Sequence, residues 1–418
     1  MSDTQARFID VDELRVGLYV YLDLGWMGHP FALNNFKIDS EGQIETIRGL
    51  GLKRLRWSPE LSDPPTPSSP EAAIDTPAAP SSPAEQPRRL LLEQQASLAR
   101  CEREFADATR AFREILKLAP AQPELAHERA RTMAAGLVRG LLDQGESFIR
   151  LLSEQAGEQT SLHSINVSVI ALLLGQRLGL DATALDRLAL GALLHDIGKI
   201  ALPERLRWRD TVVSAAERNL FQRHVEYGVE LAARMGLDPE ISTIIAQHHE
   251  YVDGSGFPGR LHGEQLSYLS RIVTLVNHYD ILCNPANPVA AITPHQALSL
   301  MFAQSRDKFD AAILAVFIRM MGVYPPGSVV VLSNGRHALV VSVNAARPLK
   351  PRVIIHDPRV PRDEAPVVDL EHADGLGIRQ SLKPLQLPRA VFEYLLPRQR
   401  ICYFFERARE SMDRPQPS

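Results

Sequence analysis

Gly191-Ala-Leu-Leu-His-Asp-Ile-Gly-Lys199 reads as an apolar helix that runs into an adjacent His-Asp pair and then stops at a glycine. It limits the fold more than any other stretch. Two ionisable side chains directly after Leu193-Leu194 enter a core only when paired or bound to metal, because an unsatisfied buried polar group is costly. Read alone, the pair is a buried histidine bonded to its surroundings, with Asp196 at a helix end. His163, His224 and His248-His249 also fall in helix-like segments. Any one of these is more often structural than a ligand. A set holding both a His-Asp and a His-His dipeptide is much harder to explain as core filling. Helical bundles build metal sites this way, with inward-facing ligands from several helices meeting in the core.

Helix-start signals place these residues. Ser214-Ala-Ala-Glu217 and Thr293-Pro-His-Gln296 are capping boxes, the second with proline in the first helical position, and Asp238-Pro239 is another cap followed by proline. They put His224 in the middle of the helix capped at Ser214, and His248-His249 near the end of the helix capped at Asp238. Residues 158–322 therefore read as one densely helical domain.

At 418 residues the chain has room for two or three domains. Residues 1–58 mix short apolar and charged segments and read as a small α+β unit, with a strand from Leu18 to Leu22 and a short helix or turn from Gln43 to Leu50 before Leu52 to Trp57. Its aromatic patch of Trp26, His29, Pro30 and Phe31 fits a core better than a ligand surface in so small a domain. From 59 to 87, Pro, Ala, Ser and acidic residues cannot bury enough apolar surface to fold, which makes this a disordered linker. Residues 88–157 read as helices broken at Pro120 to Pro123. Two uses stay open for them: a homodimer-forming pair that transmits a signal, or a lid packed on the next domain. From 323 to 418 the pattern turns to β: Val329 to Leu332, a hairpin turn at Ser333-Asn-Gly335, Ala338 to Val343, then Arg352 to His356. The tail to Glu406, ending in Tyr403-Phe404-Phe405, belongs to the same small β-rich appendage. The fold class is mainly α, with a small α+β domain before the helical domain and a small β-rich appendage after it.

A net charge of -4 provides no basic field, which argues against a nucleic-acid polymer as the partner. Cys101, Cys283 and Cys402 match no zinc or CxxC spacing, so a reducing, cytoplasmic setting is expected. Met1-Ser-Asp-Thr-Gln5 lacks a basic region followed by an apolar run, and no secretory signal is expected. The longest apolar runs, such as Val169 to Leu174, fall far short of the roughly 20 residues of a membrane span.

Adjacent residues on a helix point about 100° apart, so His195 and Asp196 do not chelate one ion side by side. They reach two ions, or one of them turns at the helix end. A carboxylate between two cations bridges them, and two metals about 3.5 to 4 Å apart clamp the attacking and leaving oxygens of an in-line displacement at phosphorus. Mixed imidazole and carboxylate ligands point to two divalent ions, Fe or Mn, with Ni, Co and Zn also open. Directly after His248-His249 comes Glu250-Tyr-Val-Asp-Gly-Ser-Gly-Phe-Pro-Gly259, whose Gly254, Gly256 and Gly259 permit close backbone approach and whose Pro258 stiffens the loop. It is a candidate substrate wall.

The order His163-Ser164, His195-Asp196-Ile-Gly-Lys199, His224, His248-His249-Glu250 and Asp253-Gly-Ser-Gly-Phe-Pro258 resembles the HD-GYP family, a branch of the HD phosphohydrolases, over about residues 158–322. The first 58 residues and the linker are similar to the small domain of unknown function often attached to bacterial HD-GYP proteins. The resemblance implies a helical, metal-dependent phosphohydrolase domain with a two- or three-metal centre that hydrolyses cyclic di-GMP to pGpG or GMP in bacterial signalling. It implies His163, His195, Asp196, His224, His248 and His249 as metal ligands, with Asp196 bridging. A hydroxide activated by the metals would be the nucleophile, and Lys199 would contact the phosphate or assist protonation. Asp253, Gly254, Gly256, Phe257 and Pro258 would line the substrate side.

Four departures from that pattern stand out. Asn277 occupies the position of the last ligand, usually Asp, while Asp280 matches a second Asp that is usually structural. Gln159 stands where some members carry the Glu for a third metal, which favours two metals over three. Phe257 replaces the signature Tyr, and Cys283-Asn-Pro-Ala-Asn-Pro288 replaces a basic Arg-Pro-Tyr stretch. Three functions follow: a cyclic di-GMP phosphodiesterase, a weak or inactive relative acting as a cyclic-dinucleotide binding or scaffold protein with signalling partners, or a hydrolase of another phosphoester.

Overall fold

The computed structural model describes residues 7–22, 35–50, 52–63, 85–142, 147–152, 159–207, 214–287, 290–344, 350–373, 375–383, 386–395 and 401–407. Trp26, His29, Pro30 and Phe31 and most of the Pro/Ala/Ser-rich stretch lie outside the described residues. The chain divides into two compact units, Met1–Leu92 and Glu93–Ser418.

The first unit is the expected α+β fold. Strands β1 (Arg7–Asp10), β2 (Tyr19–Tyr21) and β3 (Asn35–Lys37), helix α1 (Glu41–Gly49) and strand β4 (Arg54–Ser58) form an antiparallel sheet in the order β1-β4-β2-β3 beside one helix. Ile44 and Ile47, three apart on α1, share a face and join Leu18, Val20, Leu22, Ile38 and Leu55 in one core. The unit runs past residue 58, because Tyr19 N donates to Ser62 Oγ at 2.7 Å and Asp63 N to Gly17 O at 2.8 Å. The linker expected over 59–87 is therefore shorter at this end. It is shorter at the other end too, since α2 (Glu85–Leu118) starts inside it.

After α2 come α3 (Pro123–Leu142), strand β5 (Ser147–Leu152), and helices α4 (Gln159–Arg177), α5 (Ala182–Leu194), α6 (Glu204–Arg207), α7 (Ala215–Gln222), α8 (His224–Met235), α9 (Pro239–Gln247), α10 (Tyr268–Cys283), α11 (Pro294–Gln304) and α12 (Ala311–Met321). Then follow β6 (Val329–Leu332), β7 (His337–Asn344), β8 (Arg352–Ile355), β9 (Val367–Asp369), β10 (Ile378–Leu382), α13 (Arg389–Leu395) and β11 (Cys402–Arg407). From Leu162 to Leu174 α4 is buried nearly all round, the mark of a central helix, and it packs on α5, α10 and α12. These central helices carry the residues of interest.

Two further expectations need correction. Residues 147–152, placed in a helical segment, form β5, which pairs with β7 and β11 in a seven-stranded sheet. A short apolar run such as Ser147-Phe-Ile-Arg-Leu-Leu152 has no helical or strand period of its own, and its partners β7 and β11 lie about 190 and about 250 residues away in sequence. His224 is not mid-helix: α7 ends at Gln222 and α8 begins at His224. Within 88–157, α3 buries Ala126, Ala130, Met133, Leu137 and Leu141 and contacts α5 and α8. The hairpin at Ser333-Asn-Gly335 forms as expected, with Gly335 at φ 81° and Val329 opposite Leu339. No described helix is long and apolar enough to cross a membrane.

Candidate metal centre

Three helix ends aim three of the histidines by the same local device. The last carbonyls of a helix lack an intrahelical donor, and an imidazole just beyond the end satisfies one of them. His195 follows the last residue of α5, and its Nδ1 lies 2.7 Å from Ala192 O. His248 follows α9, with Nδ1 2.7 Å from Ile245 O. His224 follows the break after α7, with Nδ1 2.7 Å from Phe221 O. A carbonyl only accepts, so each Nδ1 carries the proton and each Nε2 presents a lone pair inward. His163, on α4, has its Nδ1 2.7 Å from Asp280 Oδ2, which leaves its Nε2 in the same role.

These lone pairs converge. His163 Nε2 lies 3.2 Å from His195 Nε2, and His224 Nε2 lies 3.3 Å from His248 Nε2. Two acceptors at that distance repel unless a cation sits between them. Asp196, at the turn beyond α5, stands between the two pairs. Its Oδ2 is 3.5 Å from His163 Nε2 and 3.4 Å from His195 Nε2, while its Oδ1 is 3.5 Å from both His224 Nε2 and His248 Nε2. Ligand-competent atoms thus fall into two groups sharing one carboxylate: His163, His195 and Asp196, and Asp196, His224, His248 and His249.

The donor set fits metal. Asp196 Oδ1, His249 Nε2 and Asn277 Oδ1 are all buried without a hydrogen-bond partner, a costly arrangement unless something else binds them. Nitrogens 3.2 Å apart subtend roughly 100° at an ion bonded at about 2.1 Å, an angle ordinary coordination tolerates. Electrostatics agree. Burial pushes His195 down to about 4 and His224 down to about 3, and it drives His249 well below the usual imidazole range. For Asp196, burial works upward, but Lys199 and His195 outweigh it and hold the carboxyl well below its usual range. Neutral imidazoles around an anionic carboxylate are the protonation states that a divalent cation requires.

A pH dependence follows for the protein stripped of metal by chelator. The unfolded chain protonates these three histidines near 6.5, whereas the folded chain resists until far lower pH. Between those limits the unfolded state binds more protons, so the stabilisation is complete above about 6.5 and is lost as pH falls. Urea unfolding should show a fall between pH 7.5 and pH 5 of up to roughly 2 kcal/mol per imidazole. A midpoint that stays level over that range would contradict the buried neutral rings.

Lys199 Nζ lies 2.6 Å from Asp196 Oδ2 and 5.5 Å from the centre of the Phe221 ring. Asn277 donates from Nδ2 to His248 O at 3.5 Å, leaving Oδ1 as the free atom noted above. Phe257 stacks on His249, ring centres 4.5 Å apart and planes 22° apart, and so covers one side of that ligand. Asp253 is exposed and accepts from Ser255 N and Oγ at 2.9 and 2.6 Å, which holds the turn rather than facing the histidines. Gly254 sits at φ 77° against the His262 ring, and Pro258 is exposed after a cis bond to Phe257. At Gly256 any Cβ would strike the backbone of His249, Glu250 and Tyr251, so the loop folds flat over the His-His pair only with glycine there.

The residue that pins this loop was not among those singled out from sequence. Glu250 is buried, and its carboxylate accepts from Gly259 N and from Leu261 N at 3.0 Å. A carboxylate directly after two candidate ligands and before a glycine-rich loop was the available signal. Glu250→Gln turns one acceptor into a donor facing a backbone N–H, at a cost of about 1–3 kcal/mol. The expected result is faster amide exchange confined to 251–262, together with a lower melting temperature.

Residues 124–313 match the HD domain family and residues 7–130 a domain of unknown function, DUF3391. The chain is 29% identical over 360 residues to the cyclic di-GMP phosphodiesterase PA4108 of Pseudomonas aeruginosa, covering 82% of this chain and 84% of that protein. It is 29% identical over 206 residues to the cyclic di-GMP phosphodiesterase response regulator RpfG of Xanthomonas campestris pv. campestris, covering 47% and 54%. It is also 29% identical over 167 residues to the 3'3'-cGAMP-specific phosphodiesterase 2 of Vibrio cholerae, covering 40% and 32%. Of these last two proteins the chain thus spans only about half and a third. Bd1817, a HDG"Y"P protein from Bdellovibrio bacteriovorus, aligns with a TM-score of 0.44 at 15% identity over 74% of this chain and 97% of that one.

Proposed function

The chain belongs to the HD-GYP branch of the HD-domain family, with a DUF3391 domain ahead of it, and from that premise we propose that it is a metal-dependent phosphodiesterase of cyclic dinucleotides, acting on cyclic di-GMP to give pGpG or GMP. One observation carries the reading: the two oxygens of Asp196 face two separate pairs of imidazole nitrogens. Asp196 would be the shared ligand, with His163 and His195 on one side and His224, His248, His249 and Asn277 on the other. The chemistry two divalent ions supply there is activation of water and neutralisation of charge developing on the phosphate oxygens. Fe or Mn suits this mixed imidazole and carboxylate set.

The rest of the work belongs to the chain's own groups. The carbonyls of Ala192, Phe221 and Ile245 and the carboxylate of Asp280 keep the four Nδ1 protons in place, so Nε2 stays available. Phe257 keeps water from one face of His249, and the loop held by Glu250 forms the substrate wall. Lys199, largely buried beside Asp196, is assigned to a phosphate oxygen or to protonation of the leaving oxygen. The three cysteines, all buried and outside any disulfide, and the bacterial signalling relatives support a cytoplasmic setting. A homodimer would use the parts of 88–157 that stay exposed.

The deciding experiment incubates the purified, metal-analysed protein, loaded with Mn or Fe, with cyclic di-GMP and in parallel with 3'3'-cGAMP. Linear pGpG or GMP from the first is the expected product; turnover of neither would overturn the enzyme reading. Asn277 favours a second reading, a metal-holding binding or scaffold protein with little turnover, because a neutral ligand replaces a charged one. Asn277→Asp separates the two. Adding an anionic donor should tighten metal binding on the order of tenfold. If turnover rises with it, Asn277 restrains an enzyme; if metal tightens and cyclic di-GMP still survives, the binding role stands.

A further inference from the structure

We propose that Asn166, Asn284 and the backbone of Ile401 and Tyr403 form a positioning network that sets the ring of His163, making the leading end of the last strand of the C-terminal sheet a working part of the metal centre. The inference rests on reading His163 as a metal ligand. Asn166 lies one turn beyond His163 on α4, and Asn284 caps the end of α10 four residues after Asp280. The two amides grip the same pair of acceptors. Asn166 Nδ2 donates to Asp280 Oδ1 at 2.9 Å and to Ile401 O at 2.8 Å; Asn284 Nδ2 donates to the same two atoms at 2.9 Å each. Their oxygens accept from the same stretch of chain, Asn166 Oδ1 from Tyr403 N at 2.9 Å and Asn284 Oδ1 from Ile401 N at 2.7 Å.

Every bond in this set has a fixed sense. Each NH2 spends both protons and each amide oxygen meets an N–H, so turning either amide over would place donors against donors. Asp280 is thereby held from one oxygen by two amides, while its other oxygen takes the His163 Nδ1 proton at 2.7 Å. Asp280 and Asn166 are fully buried, so water offers no ready substitute. Tyr279 OH, 3.2 Å from Tyr403 OH, ties the same helix to the same strand. Asn284 lies in the stretch where the sequence reading saw only lost positive charge, and the network supplies another purpose for it. Partners of this kind behind a metal-binding histidine typically change affinity 10- to 100-fold when removed.

The test uses the full chain and Mn²⁺ titrations followed by the EPR signal of free ion, beside melting in chelator. Asn284→Ala and Asn166→Ala are expected to weaken one of two Mn equivalents by 10- to 100-fold and leave the other near wild type. A role in stability alone would lower melting without selecting one equivalent. Asn284 is only half-buried, so its variants carry the test should Asn166→Ala fail to fold. Asn284→Asp, which sets an oxygen against Asp280 Oδ1 and Ile401 O, should match or exceed the loss. Unchanged affinity in the folded Asn284 variants, or equal weakening of both equivalents, overturns the network. His163→Ala marks the prior reading: if it too leaves both equivalents intact, His163 is no ligand and the proposal falls for that separate reason.

Discussion

Asp196→Asn is expected to leave the purified protein with almost no bound Mn or Fe and to lower cyclic di-GMP hydrolysis by at least about 10³-fold, the scale of several kcal/mol of lost charge stabilisation. The size of the effect comes from position. Every other candidate ligand serves one side of the centre, whereas the Asp196 oxygens stand 3.4 to 3.5 Å from imidazole nitrogens on both sides. An amide retains one neutral oxygen and turns an NH2 toward lone pairs that need a cation. His195→Ala is the informative partner, since it removes a ligand from one side only. Elemental analysis should show His195→Ala keeping part of its metal and Asp196→Asn keeping close to none. Wild-type metal content in Asp196→Asn would end the shared-carboxylate account.

Much of this candidate centre was legible in the chain because its candidate ligands come as dipeptides at helix ends. His195-Asp196 and His248-His249 follow apolar helices, the second of them marked at its start by the Asp238 cap, and a helix end is where adjacent side chains escape the roughly 100° separation of a regular helix. His224 lies beside the other candidate histidines, but at a helix break and not in the mid-helix setting its sequence suggests. Its helix is interrupted at Arg223 without proline or glycine, so no residue announces the break. The supporting groups were harder to see. The carbonyls of Ala192, Phe221 and Ile245 have no side-chain signature, and the bonds from Asn166 and Asn284 to Ile401 span 235 and 117 residues. Periodicity reports the face a residue turns inward, but not which distant backbone atom meets it there. β5 was lost for the same reason, because only its pairing with β7 and β11 makes it a strand.

Gly198→Ala is expected to do comparable damage by a different route. In the structure Gly198 lies in the 3-10 turn Ile197–Ala201, directly after Asp196, and presses against the first turns of α8. A Cβ at this position would overlap His224 O and Gly228 N. Both are backbone atoms, so no rotamer change relieves the overlap, and either the turn or α8 must move. Movement there separates Asp196 from His224, whose ligand atoms are 3.5 Å apart. The variant should lose about 3 kcal/mol of stability, the upper end for overpacking, and with it metal on the His224 side. Gly228→Ala is the milder neighbour: its Cβ would meet Ile245 Cγ2 at 2.8 Å, and a side-chain methyl has room to adjust where backbone does not. Melting and metal content should therefore fall in the order wild type, Gly228→Ala, Gly198→Ala. A Gly198→Ala protein that melts and binds metal like wild type would mean that this close approach is not what holds the carboxylate against α8.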